Sequence, residues 1–350
     1  MNLLEVKNLK TYFYRKNAVL RAVDGVSFYI RENETLGIVG ESGSGKSLTS
    51  LSILRLVPRP GRIVGGEVVF DGQDLLTLSE RRMRALRGGD ISMILQDPLT
   101  SLNPVFTVGY QIAESLTEHM KARGIILKQQ IVEMLRRVHI PAPETRVHAY
   151  PHQLSGGMKQ RAVGAISIAC QPRLLIADEP TTSLDVTIQA QYLELLKELR
   201  VRYGMSLMFI THDFGIVADI CDRVAVMYAG QIVESAPVRK IFATPAHHYT
   251  AALLKSVPRL DTKVERLASI PGQPPRPGNF PVGCRFAPRC AHADDTCRTQ
   301  EPPLTQIEDD HEVKCWYPLT QHHIGMKMLT SPPQSPSPSN GEGEGRPTRG

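Results

Sequence analysis

The chain has 350 residues, 41% hydrophobic and 22% charged, with a formal net charge of +6 and a pI near 9.0. That balance fits a globular protein with room for one large α/β domain plus a smaller unit, and the mild basicity permits a membrane surface or nucleic acid without requiring either. No apolar run approaches the roughly 18 residues of a membrane-spanning helix. The start, MNLLEVKNLK, has polar residues where a signal peptide carries its apolar core, so the chain is expected in the cytoplasm, where disulfides are disfavoured.

Residues 3–30 alternate like strands, with Leu4, Val6 and Leu9 and then Val26, Phe28 and Ile30 on one phase, which predicts an antiparallel pair. Tyr12, Phe13 and Tyr14 lie here and offer aromatic faces for a purine, although strand packing accounts for any one of them. Thr35–Ser47 reads TLGIVGESGSGKS. Its apolar opening predicts a buried parallel strand. The following Gly40, Glu41, Ser42, Gly43, Ser44, Gly45, Lys46 and Ser47 satisfy G-x-x-x-x-G-K-[ST] at every fixed position. Glycines let successive N–H groups curl around a phosphate chain, and the helix that starts near Lys46 adds its positive end. Lys46 supplies a point charge, and the Ser47 hydroxyl is a hard ligand for Mg²⁺. This is the pattern of a nucleotide site.

Further strands are expected at Gly66–Phe70, closed by an Asp71-Gly72 turn, and at Ile91–Leu95, ending at Gln96-Asp97-Pro98. Between the two, the basic run Arg81–Arg87 reads as a solvated helix face. Residues 105–140 have helical periodicity and read as an insert, taken broadly as 98–160. Met158–Ala169 is expected to be a helix, opened by HQLSGGMKQR. Leu174–Ala177 is an apolar strand ending in Asp178 and Glu179. There Asp178 is suited to order a magnesium shell and Glu179 to polarise a water. Ile188–Tyr203 reads as a helix, and Ser206–Ile210 as a strand with His212 at its exit. Strands alternating with helices predict a parallel sheet with crossover connections.

Past Pro258 the chain turns rich in Pro, Cys and polar residues. Residues 258–318 are expected to form a small C-terminal domain after a 1–257 domain, and 319–350 a disordered tail. Cys170 and Cys221 read as buried hydrophobes. Cys284, Cys290, Cys297 and Cys315 have the spacing C-x₅-C-x₆-C-x₁₇-C. Four thiolates suit an iron–sulfur cluster or zinc. A zinc site usually has one tight C-x₂₋₄-C pair, absent here, so a [4Fe–4S] cluster is the first reading. Zinc, with His292 and His311 as spare ligands, is the second, and unligated thiols are the third. A centre of either kind is expected to be structural or redox-sensing, well removed from the nucleotide.

Leu154-Ser155-Gly156-Gly157, taken with Gln96, Asp185 and His212, resembles the ATP-binding-cassette (ABC) transporter family over residues 3–235. The resemblance implies ATP hydrolysis and a P-loop ABC fold: a mostly parallel sheet with an N-terminal antiparallel subdomain and a helical insert. It also implies a head-to-tail dimer in which Leu154, Ser155, Gly156, Gly157 and Met158 of one cassette act on ATP held by the other. On the same basis, Gln96 senses magnesium, which Ser47 and Asp178 also help hold. His212 contacts the γ-phosphate, Asp185 crosses the dimer interface, and Phe13 stacks on adenine. Met158 stands where Gln is commoner, as is usual in the oligopeptide/dipeptide importer branch.

Three segments resemble the same branch: Gln96–Pro104, Tyr249–Leu254 and Gly283–Cys290. The last of these matches a branch that carries a [4Fe–4S] cluster at corresponding cysteines. The implied partners are a second, related ATPase subunit, two membrane permease subunits and an extracytoplasmic substrate-binding protein, with the chain peripheral on the cytoplasmic face of the membrane. Import of nickel or another small solute is an alternative within the class. A soluble cassette acting on nucleic acid is disfavoured by the single Trp and the lack of a second cassette.

Overall fold

The computed structural model describes residues 1–16, 18–96, 101–182, 184–256 and 269–319. Strands β1 (Asn2–Arg15) and β2 (Ala18–Arg31) pair antiparallel, with Leu4 opposite Ile30 and Val6 opposite Phe28. Their inward phase is the expected one: Leu4, Leu9, Val26 and Ile30 are all buried. Next come β3 (Thr35–Val39) and helix α1 (Lys46–Ile53). They are followed by β4 (Gly61–Phe70), which pairs along β1, and by the short β5 (Gln73–Asp74). The antiparallel sheet has the order β2-β1-β4-β5. Strand β4 begins five residues before the expected Gly66 because register shifts in β1 beside Gly65 and Gly66 break its alternation.

Helix α2 (Glu80–Leu86) carries the basic run. Arg81, Arg82 and Arg84 are exposed and Arg87 pairs with Glu80 at 2.6 Å, as a solvated face requires. Strand β6 (Ile91–Ile94) leads to the helical insert of α3 (Val108–Met120), α4 (Gly124–Arg137) and α5 (Pro143–Arg146). The chain continues through α6 (Gly156–Ile168), β7 (Leu174–Asp178), α7 (Val186–Tyr203), β8 (Ser206–Thr211) and α8 (Phe214–Ile220). A side-chain oxygen caps three of the longer helices: Thr107 on α3, Ser155 on α6 and Asp185 on α7.

Strands β9 (Arg223–Tyr228) and β10 (Gln231–Pro237) follow, then α9 (Val238–Ala243) and α10 (His248–Ser256). In the large sheet β6, β7, β8, β3 and β9 run parallel, with β3 at the centre between β8 and β9. Its strands are apolar on both faces. Leu36, Ile38, Ile176 and Met208 pack toward the antiparallel subdomain, while Val39, Leu175, Ala177 and Phe209 pack under the crossover helices. The expected α/β fold is present, and both faces of its central strands are buried.

Residues 269–319 do not fold apart from this frame. After α11 (Asp295–Thr299), the hairpin of β11 (Thr305–Glu308) and β12 (His311–Val313) joins β10 and extends the large sheet. The fully buried Glu234 of β10 anchors the join. Its carboxylate accepts from the backbone N–H groups of Ala246 at 2.7 Å and His247 at 2.9 Å, and lies 2.8 Å from His311 Nε2. Such a carboxylate is fully partnered, which burial requires. Residues 257–268, the tail beyond 319, Asp97–Thr100, Asn17 and Ser183 lie outside the described residues.

Candidate functional site

Strand β3 ends at Val39, and the loop Gly40–Gly45 turns into α1. Gly40 is required there, since a Cβ would fall 2.1 Å from the Met227 carbonyl oxygen and push the loop off the sheet. Lys46 is buried, and its ammonium donates to the carbonyls of Gly40 at 2.8 Å and Glu41 at 3.1 Å. Burial lowers its pKa, while Glu179, Asp178 and Glu41 pull the other way. The charge is therefore held over the loop by a partly desolvated stem, where it acts more strongly than in water.

Ser47 donates to Asp178 Oδ1 at 3.0 Å. Burial raises the Asp178 pKa, opposed by the Ser47 hydrogen bond and by Lys46. A hydroxyl and a carboxylate meeting at the foot of the loop are the hard oxygen donors that Mg²⁺ prefers. Glu179 has a left-handed backbone (φ 46), uncommon for a side-chain-bearing residue and held by its N–H bond to the Ile210 carbonyl at 2.9 Å. Its carboxylate accepts from Gln96 Nε2 and from Thr182 Oγ1, each at 3.1 Å, and lies 3.4 Å from His212 Nδ1. Gln96, Asp178, Glu179 and His212, named separately from sequence, thus meet beside Lys46 and Ser47. Thr182, unforeseen, joins them.

The Ser155–Gly157 turn is built differently. Ser155 and Gly156 are exposed, and Ser155 Oγ caps α6 by accepting from Met158 N–H at 3.3 Å. Gly157 is needed for packing, because a Cβ there would come 2.9 Å from Ile188 on α7. Leu154 is buried and Met158 packs against the core beneath the crossover helices. Among the described residues, no hydrogen bond or ion pair joins Leu154–Met158 to the chain's own residues 40–47. A helix start presented to solvent in this way can receive an anion from another molecule. Asp185 is exposed and accepts from Ile188 N–H at 3.0 Å as the cap of α7. Phe13 is half-buried on β1, with its ring against Gly61.

The four C-terminal cysteines line one small cavity, together with His247, His248 and His292. All six cysteines of the chain are free thiols. Burial pushes Cys315 up to about 12, and Cys284, Cys290 and Cys297 add to the rise, as expected when four acids face one another. The buried His247 ring accepts from Tyr249 N–H at Nδ1, at 3.0 Å, and its Nε2 has no hydrogen-bond partner among the described residues. The donor set therefore suits a group seated among the thiols. Even so, among the described residues no three His, Cys, Asp or Glu side chains are arranged to hold a metal ion. His311, expected as a spare zinc ligand, is committed to Glu234. Cys221 is buried and Cys170 half-buried, and burial raises both thiols.

The separation expected between the cysteines and the nucleotide site is not observed. Arg289, one residue before Cys290, donates to both carboxylate oxygens of Glu41 in the phosphate loop, at 2.7 and 3.0 Å. Tyr249 also reaches the loop, its hydroxyl accepting from Glu41 N–H at 3.0 Å. Sequence offered only faint signals for these contacts: Tyr249 and Arg289 stand inside segments that resemble the importer branch.

Comparison with known proteins agrees with this geometry. The family described as "ABC transporter" matches residues 23–182, and "Oligopeptide/dipeptide transporter, C-terminal region" matches residues 233–297. The chain is 54% identical to the probable peptide ABC transporter ATP-binding protein y4tR of Sinorhizobium fredii, over 90% of this chain and 94% of that one. It is 49% identical to the dipeptide transport ATP-binding protein DppD of Escherichia coli, over 91% and 98% respectively. Among solved structures, the ATP-binding cassette MJ0796, in a dimeric post-hydrolysis state bound to ADP and Pi, superposes with a TM-score of 0.60 at 26% identity. That match covers 67% of this chain and 99% of the other. The cbiO1 protein from Clostridium perfringens, part of the ABC transporter complex cbiONQ, gives a TM-score of 0.59 at 26% identity, covering 69% and 91%. The chain belongs to the ABC transporter family of ATP-binding subunits, in its oligopeptide/dipeptide branch.

Proposed function

We propose that this chain is the ATP-hydrolysing subunit of an importer for dipeptides or oligopeptides, peripheral on the cytoplasmic face of the membrane. The observation that carries the reading is a hydrolytic set gathered around Glu179, combined with a solvent-exposed Ser-Gly-Gly helix start that, among the described residues, shares no hydrogen bond or ion pair with residues 40–47. Lys46 and the loop amides hold the phosphates. Ser47, Asp178 and Gln96 hold Mg²⁺, which when bound neutralises charge developing on the transferred phosphoryl group. Glu179 accepts the proton of the attacking water, while His212 orients it and contacts the γ-phosphate. Ser155 and Gly157, with Asp185 beside them, serve the ATP of a second cassette, so the active unit is a head-to-tail dimer with a related chain. Peptide as cargo rests on the named relatives and on the match over 233–297. The test is reconstitution: dipeptide uptake into vesicles carrying the candidate permeases should require this chain and hydrolysable ATP.

Among the described residues, no helix is long and apolar enough to cross a membrane, so the path for the cargo must come from two permease subunits, loaded by a substrate-binding protein outside. The docking face proposed for them lies next to Gln96. Leu95, which precedes Gln96 in sequence, is exposed, as are Val105, Phe106 and Tyr110 at the start of the insert, with the Phe106 and Tyr110 rings stacked at 4.6 Å. Apolar side chains gathered on a surface mark a partner site. Cross-links placed at Phe106 or Tyr110 should capture a permease; capture only from residues 1–30 would refute this face.

We further propose that Cys284, Cys290, Cys297 and Cys315 hold a [4Fe–4S] cluster, with zinc as the alternative. Convergence of all four thiols on one cavity supports a shared group, which would cross-link a segment of little apolar periodicity. Protein purified without oxygen should be brown, with about four irons and four sulfides per chain. Colourless protein with one tightly held zinc would overturn the cluster and leave the ATPase reading intact.

A further inference from the structure

Two buried arginines stand beside the cysteines in sequence; Arg289 reaches the phosphate loop directly, and Arg285 bonds the turn that supports it. Arg289 sits in a tight turn between Cys284 and Cys290 and is 9% exposed. Besides its fork on Glu41, it donates to the Tyr228 hydroxyl at 3.3 Å and to the Pro271 carbonyl at 3.0 Å. Arg285, adjacent to Cys284, is 8% exposed and donates to Asp24 and to the carbonyl of Ala229. The next residue, Gly230, donates its N–H to the Ser44 carbonyl at 2.8 Å. The loop is therefore held at Glu41 by the C-terminal unit, 248 residues away in sequence, and at Ser44 by the β9–β10 turn, against which Arg285 of the same unit is bonded.

Glu41 places a carboxylate inside a loop that must accept a triphosphate, and like charges at close range disfavour binding. Two parallel hydrogen bonds from a buried guanidinium neutralise that carboxylate and fix its direction. Without Arg289, the same carboxylate would be free to face the phosphates.

We propose that Arg289 is a positioning residue for ATP binding: by neutralising and orienting Glu41, it makes nucleotide affinity depend on the folded state of the cysteine-lined C-terminal unit. The proposal rests on the ATP site described above and not on the identity of any group among the thiols. Coupling of this kind is reciprocal, so bound nucleotide must in turn favour the ordered C-terminal unit. The chain has one tryptophan, Trp316, beside Cys315 and bonded to the Gln300 carbonyl at 3.1 Å. It serves as an independent reporter of that unit.

The test measures MgATP affinity of the full chain, steady-state kinetics of the assembled transporter and Trp316 emission. Arg289→Ala should weaken MgATP binding about tenfold, within the range usual for coupled sites, raising KM while largely preserving kcat. Arg289→Lys, which keeps the charge and loses the fork, should fall between. Adding Glu41→Gln to Arg289→Ala should restore affinity to within about threefold of wild type, because the carboxylate to be neutralised is gone. Emission from Trp316 should respond to MgATP in the wild type and not in Arg289→Ala. Wild-type affinity in Arg289→Ala would overturn the coupling alone, as would failure of Glu41→Gln to rescue it, which would mark a packing defect. A wild-type chain with no affinity for MgATP would overturn both the coupling and the site.

Discussion

Glu179→Gln is expected to lower ATP turnover in the assembled transporter by about 10²–10⁴-fold, the usual contribution of a general base, with MgATP affinity little changed. The substitution keeps the volume and left-handed backbone of the position and the oxygen that accepts from Gln96 and Thr182, while removing the proton acceptor. Because binding survives and hydrolysis does not, the variant should accumulate a closed ATP-bound pair of cassettes, visible as an increase in mass by light scattering when MgATP is added. Turnover at the wild-type rate would mean that Glu179 is not the base.

Lys46→Ala should act one step earlier and weaken MgATP affinity roughly a hundredfold, as expected when one partner of a desolvated charge interaction is truncated. The buried ammonium is held to the Gly40 and Glu41 carbonyls in a position to meet the outer phosphates. Its loss removes attraction that water cannot replace inside the loop. Equilibrium titration with a fluorescent ATP analogue reads this directly. Near-wild-type affinity, with only kcat reduced, would show that Lys46 acts in the chemical step and not in binding.

Much of this site is legible in the sequence because the chemistry constrains local spacing. Gly40–Ser47 must follow a strand and open a helix, and Asp178-Glu179 must end a strand under the same loop. Those segments lie where the pattern puts them. The apolar run of β3 was also informative, since only a strand buried on both faces tolerates Leu36, Ile38 and Val39 in succession.

The failures also have physical causes. Strand β4 hid its first half behind paired glycines and a bulge. Strands β11 and β12 are short, and β11 is exposed throughout, so neither has an apolar period to detect. Most consequential, the Glu41–Arg289 fork joins residues 248 apart, and an arginine in a Pro- and Cys-rich segment has no local signature of its partner. The cysteines lie far from the phosphate loop in sequence; the joining of β12 to β10 and the Arg289–Glu41 fork bring their unit against it.

In the proposed function, ATP hydrolysis by this chain drives peptide import through partner subunits. The most direct measurement is ATP turnover together with labelled-dipeptide uptake in vesicles containing this chain, a second cassette and two permeases, with and without peptide-loaded binding protein outside. Loaded binding protein should raise turnover, uptake should follow hydrolysis, and Glu179→Gln should abolish both. Turnover indifferent to peptide and permeases, or uptake that persists in Glu179→Gln, would contradict the proposed function.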